Sequence, residues 1–125
     1  MGNLTSDDVV RTVPGEDREL LELAARAAGY ALTQWADEDF IRAQVEEYRW
    51  PKWNPLTDDG DALRLAVKLE LTVYPPQPTS AGYDKAVCQN HEASIDAIVD
   101  ATTDHYAATR RAIVRAAAAI AKATP

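Results

Sequence analysis

Two groupings of side chains in this 125-residue chain are of types and spacing that could do chemistry. Asp58, Asp59 and Asp61, with His91 as a distant fourth ligand, offer the oxygen-rich set that suits magnesium or calcium. A small metal-dependent hydrolase or nucleotide-binding enzyme could be built on that Asp58/Asp59/Asp61 cluster. Asp58-Asp59-Gly60-Asp61 lacks, however, the alternating ligand spacing and terminal Glu of a calcium loop. Carboxylates at a helix start also satisfy orphan N–H donors with no metal present, and capping is the reading these residues favour. Cys88, three residues before His91, and His105 could suggest nucleophilic chemistry, but no Cys-His signature surrounds them. There is no glycine-rich phosphate loop, no Gly-x-Ser-x-Gly elbow and no dinucleotide fingerprint. No catalytic residue, metal site or cofactor is therefore assigned.

Tyr48-Arg49-Trp50-Pro51-Lys52-Trp53-Asn54-Pro55 points to binding instead. Its prolines forbid regular helix and central strand, leaving a rigid loop that carries two indoles and a tyrosine ring. Rigid aromatic loops make interface anchors at low entropic cost, which singles out Tyr48, Trp50 and Trp53 as protein-binding residues. The competing reading is that the indoles cover the edge of the core. Arg110, Arg111 and Arg115 read as a solvated helix face.

The elements that would position these residues follow from periodicity. Residues 1–14 are polar and irregular and read as a mobile terminus. Its Met1-Gly2-Asn3-Leu4-Thr5-Ser6 start matches a myristoylation pattern that occurs often by chance. A helix is expected over 16–28, with Glu16, Asp17 and Glu19 in its first turn and Gly29 as its stop. A β-hairpin follows, with strands near 30–36 and 39–48, Ile41, Ala43 and Val45 on one face and Phe40 on the other. After the aromatic loop, Thr57 or Asp58 caps a second helix reaching Leu69. Leu71 to Tyr74 and Tyr83 to Cys88 read as strands. Over 93–100, Ile95, Ala97 and Val99 favour a strand, although a helical stripe also fits. The last helix starts after Thr103 or Asp104 and ends near Ala123. Tyr106, Ile113 and Ile120 form its packing seam, beside a strip of small residues from Ala108 to Ala123.

That order implies an α+β domain over 15–125: an α/β/α sandwich with one mostly antiparallel sheet and three amphipathic helices. The alternative is a single helical layer with an open sheet face that a second copy could cover. Size permits one domain with a genuine core. Thirteen Lys and Arg against twenty Asp and Glu give −7, which disfavours direct nucleic-acid binding. No apolar run approaches the ~18 residues of a membrane span, and no secretory leader is evident. The single Cys88 rules out an internal disulfide and fits a reducing compartment.

Trp53-Asn54-Pro55-Leu56-Thr57-Asp58-Asp59-Gly60-Asp61-Ala62-Leu63-Arg64-Leu65-Ala66-Val67-Lys68-Leu69 resembles the signature segment of the phage ABA sandwich domain, a group of small bacteriophage and prophage proteins. Ala107-Ala108-Thr109-Arg110-Arg111-Ala112-Ile113-Val114-Arg115-Ala116-Ala117 is similar to that family's last helix, and Asp17-Arg18-Glu19-Leu20-Leu21 fits its first. The two longer stretches cover under a quarter of the chain. One departure stands out: Glu70 occupies the place of a helix-terminating glycine. The resemblance implies an α-β-α sandwich from a tailed phage or prophage of a proteobacterium, and brings no catalytic residues. It directs the functional expectation to a non-catalytic accessory protein in the host bacterial cytoplasm, one that binds a protein of the host or phage. Counter-defence inhibitors of the anti-CRISPR or anti-restriction type belong to this class. A homodimer is a further expectation, and the hydrolase on the aspartate cluster is the alternative.

Overall fold

A computed structural model describes residues 15–101 and 104–124, so the segment 1–14 and the Thr103 cap fall outside the described residues. Helix α1 (Gly15–Ala28) buries Leu21, Ala24, Ala25 and Ala28 on one stripe. Strands β1 (Ala31–Thr33) and β2 (Arg42–Gln44) form the expected antiparallel hairpin, Leu32 opposite Ala43, though each is shorter than the sequence suggests. Helix α2 (Asp59–Lys68) leads to β3 (Thr72–Tyr74). A small hairpin of β4 (Pro78–Thr79) and β5 (Gly82–Tyr83) follows, its second strand taking Tyr83 from the single strand expected over 83–88. Strands β6 (Lys85–Asn90) and β7 (Ile95–Asp100) precede helix α3 (His105–Ala123), whose N-cap is Asp104. Residues 95–100 are thus a strand, with Ala97 buried between exposed Asp96 and Ile98 as period two requires.

The α+β class holds, with three helices and only antiparallel pairing among the described residues. The strands form three sheets rather than one: β1-β2, β3-β6-β7 and β4-β5. The two outlying hairpins are ladders of three and two residue pairs, the second confined by Pro75, Pro76 and Pro78 and by its two-residue turn. In the three-stranded sheet, Ala86 and Cys88 of β6 and Ala97 of β7 are buried, while Asp96, Ile98 and Asp100 face outward. Helix α3 is the hub, touching α1, α2 and every strand of that sheet. Two polar links align α1 with it: Arg111 Nη2 meets Asp17 Oδ1 at 2.9 Å, and Arg26 Nη2 donates to the Ala121 carbonyl at 3.2 Å. Both helices therefore run in the same direction, and Arg26 is a second donor to the Ala121 carbonyl, which also accepts from Thr124 N at 3.4 Å near the end of α3.

The face of α3 differs from the expected seam. Ala108, Ala112, Val114, Ala116, Ala117, Ala118 and Ala121 are buried together with Ile113, whereas Tyr106 is exposed and Ile120 only half-buried. A helix surrounded by other elements needs small side chains more than a heptad of large ones. Arg110 and Arg111 are also not merely solvated. Arg110 donates to Asp59 Oδ1 at 2.7 Å and to the Leu56 carbonyl at 2.8 Å, tying α3 to the start of α2.

Both short-helix exits use the same device. At the end of α1, Tyr30 N donates to Ala25 O and Gly29 N to Arg26 O, with Gly29 at φ +79°. At the end of α2, Leu71 N donates to Ala66 O and Glu70 N to Val67 O, with Glu70 at φ +54°. These are Schellman motifs, whose C′ residue must be left-handed. A glycine adopts that geometry freely, whereas Glu70 holds it against the steric clash of its Cβ. Glu70→Gly is accordingly expected to stabilise the protein by about 1 kcal/mol. Urea denaturation checks this, and an unchanged or lower midpoint overturns the argument.

Candidate functional site

After β2 the chain turns through Glu46–Arg49, where Arg49 N donates to Glu46 O at 3.1 Å, and runs back beside it. Val45 N donates to Arg49 O, Ala43 N to Pro51 O and Trp53 N to Ile41 O, at 2.8 to 3.2 Å. Residues 49–53 are thus an irregular third pass of the hairpin. Pro51 accepts a hydrogen bond but has no N–H to return, which keeps the ladder broken.

This extended geometry separates the three proposed anchors. Trp53 is only 3% exposed and belongs to the core, where its ring meets Tyr30 edge-on at 6.0 Å. It is withdrawn as a surface anchor. Trp50, an odd number of residues away in an extended segment, faces the other way and is half-buried. Tyr48 stands at the tip of the turn, 90% exposed. Of the trio, then, Tyr48 and Trp50 reach the surface and Trp53 supports it.

The outer side of the hairpin carries a cluster that the sequence reading passed over. Arg42 lies over Trp35 at 4.3 Å and over Phe40 at 5.0 Å, and Lys52 approaches Phe40 at 5.1 Å. Glu38 accepts from Arg42 through both carboxylate oxygens, at 2.6 to 3.1 Å. That bonding holds the Glu38 carboxyl below its ordinary range and raises Arg42 further, so both stay charged. Arg42 Nη1 also donates to the Trp50 carbonyl at 2.8 Å, joining loop, strand and returning segment. The available signal was Arg42 itself, a long cation on the outward face of a strand whose inward neighbours are Ile41 and Ala43.

The three aspartates do not converge on one point: Asp58 and Asp61 both meet Arg64 Nη2, at 3.8 and 2.7 Å, and Asp59 turns away. Asp58 is the N-cap of α2, its Oδ2 accepting from Asp61 N at 2.8 Å. Asp59 points to Arg110. Asp61, nearly buried, accepts from Asn54 N at 2.9 Å and from Arg64 Nη2 at 2.7 Å, a contact that raises the Arg64 guanidinium. Capping and bracing account for all three carboxylates. Among the described residues, no group of three or more His, Cys, Asp or Glu is placed to hold a metal ion. Cys88 is fully buried, and desolvation pushes its thiol up to about 12, far from a nucleophile's range. His91 lies in the exposed β6–β7 turn, while His105 stacks on Tyr83 at 4.1 Å.

One apolar groove of about 430 Å³ runs between α2 and the first half of α3. Ala66, Val73 and Ile113 form part of its lining, with exposed Leu63, Pro75 and Tyr106 beside them. Its polar lining is sparse, and Asp59 and Arg110, the polar pair at one end, already satisfy each other. Among the described residues, no helix is long and apolar enough to cross a membrane. No protein-family model, no curated protein and no solved structure matches this chain.

Proposed function

We propose that this chain is a non-catalytic accessory protein of a phage or prophage that works by binding a protein of the bacterial host or of the phage, in the host cytoplasm. The observation that carries the binding reading is the Arg42 cluster, with the Trp35 and Phe40 rings against one guanidinium that also bonds the Trp50 carbonyl, together with Tyr48 exposed at the tip of the adjoining turn. Trp, Tyr and Arg are the side chains that dominate interface energetics. Arg42 is braced before binding by Glu38 and the Trp50 carbonyl, with Trp35 packed against it, so little ordering entropy is lost there. Support for a phage origin comes from the Trp53–Leu69 segment, which resembles the phage ABA sandwich signature. Counter-defence inhibition of the anti-CRISPR or anti-restriction type is the setting that this class of protein suggests. An acidic chain of net charge −7 suits a basic partner surface, including a nucleic-acid channel within a defence complex.

The test compares the natural protein with a Tyr48→Ala/Trp50→Ala variant whose folding is verified by circular dichroism. Both are used to capture partners from bacterial lysate and are examined by sedimentation. The expected result is loss of a captured partner, or of a dimer, through an affinity drop of roughly thirtyfold or more. A folded variant that keeps its mass and every partner removes the aromatic face as the interface.

A further inference from the structure

Strand β7 has β6 on one side and, among the described residues, no strand on the other. The register fixes which backbone groups face that open side. Ala101 N donates to Asp84 O at 3.0 Å, so 84 and 101 form a hydrogen-bonded pair of the antiparallel ladder. Counting by twos, Ala86 with Val99, Cys88 with Ala97 and Asn90 with Ile95 bond in the same way. The N–H and C=O groups of Asp96, Ile98 and Asp100 therefore point away from β6.

The side chains of these same three residues stand on the outer face, and all three are exposed, Ile98 by 53%. Across the sheet they end three rows. Tyr74, Val87 and Ile98 make an apolar row; Lys85 stands opposite Asp100; and Thr72, Gln89 and Asp96 make a polar row. The edge thus presents carboxylate, isoleucine and carboxylate at alternate positions, beside backbone donors and acceptors that pair with no strand among the described residues.

A second copy suits this edge poorly. Two-fold pairing with Ile98 opposite Ile98 sets Asp96 against Asp100 of the other copy, twice. The neighbouring in-phase register puts a carboxylate opposite Ile98. Like charges directly opposed are destabilising, and charged edges are a known safeguard against self-pairing. A strand with the opposite charge pattern meets no such penalty.

We propose that the free edge of β7 docks an extended segment of a partner protein carrying basic, apolar and basic side chains at alternate positions. Opposite Asp96 and Asp100 the basic residues gain cross-strand ion pairs, and the apolar residue extends the Tyr74–Val87–Ile98 row. Backbone bonds supply the rest of the affinity. The pattern reads the same in both directions, so it holds for parallel or antiparallel addition. This inference rests on the protein-binding reading above and names the kind of segment bound.

The experiment follows backbone amides of the full chain by NMR while adding the synthetic peptide Thr-Lys-Thr-Val-Thr-Lys-Thr or its counterpart with Glu for both Lys. The lysine peptide is expected to shift the Asp96, Ile98 and Asp100 amides and slow their hydrogen exchange. The glutamate peptide should bind about tenfold more weakly, having exchanged two attractive pairs for two repulsive ones. An Asp96→Lys/Asp100→Lys variant should reverse that preference. Ile98→Pro should abolish binding, since it removes an outward N–H and no bond to β6; if it does not fold, the charge-reversed variant decides alone. Equal affinity for both peptides, or unchanged edge amides with the lysine peptide at about 1 mM, overturns the proposal. So does a dimer that Ile98→Pro dissociates. Peptide shifts confined to Tyr48 and Trp50 also overturn it while leaving the protein-binding reading in place. That reading stands or falls on the aromatic-face variant, which leaves β7 intact.

Discussion

Replacing Trp53 with alanine is expected to cost about 3–5 kcal/mol of folding stability, while Tyr48→Ala leaves stability within about 0.5 kcal/mol. The indole is almost wholly buried and meets the Tyr30 ring edge-on. It closes the base of the hairpin, where its backbone N–H donates to Ile41 O at 2.8 Å. Asn54 follows directly, and its N–H donates to Asp61, so a collapse at Trp53 also loosens the start of α2. Partial relaxation around so large a deletion leaves a cavity, and the cavity adds to the lost transfer energy. Urea denaturation of the single variants measures the contrast. Similar small losses for Trp53→Ala and Tyr48→Ala would return Trp53 to the surface. The result also bears on interface mapping: loss of partner by a Trp53 variant reports unfolding, so only Tyr48 and Trp50 variants are informative about binding.

The separation of Trp50 from Trp53 was legible in principle. A segment barred from helix by Pro51 and Pro55 is extended, and in an extended chain residues three apart face opposite ways. Reading the trio as one anchor overlooked that parity. Helix ends were more transparent, because capping chemistry is local: Gly29 ends α1, Asp58 opens α2 and Asp104 opens α3. Even the departure at Glu70 had structural content, since the left-handed residue sits where the glycine was expected. What the sequence could not carry was long-range pairing. Nothing local indicates that Arg110 reaches Asp59 and Leu56, or that Arg111 reaches Asp17, so these cations read as solvated. The Arg42 cluster was hidden for a similar reason, because Trp35, Glu38 and Arg42 meet only after the loop between β1 and β2 folds back. Division of the strands into three sheets likewise depends on which hairpins stay short, and propensity is silent on that.

The last helix bears the second large effect. Ala116→Leu is expected to destabilise the protein by about 1–3 kcal/mol, with a loss of near-ultraviolet dichroism before helix content falls. Ala112, Ala116 and Ala117 are wholly buried on a helix that α1, α2 and the three-stranded sheet all touch. Small side chains there set how closely those elements approach. Extra methylenes must push an element outward or take a strained rotamer. Moving α1 would stretch the Arg111–Asp17 and Arg26–Ala121 links, so the strain has no free direction on that side. Ile113→Ala, a deletion at a buried site, should cost roughly 2–5 kcal/mol, and Ile120→Ala less, since its side chain is half-buried. Denaturation of the three variants orders them. A neutral Ala116→Leu would show that α3 has room beside it, and the close approach attributed to its alanines would have to be abandoned.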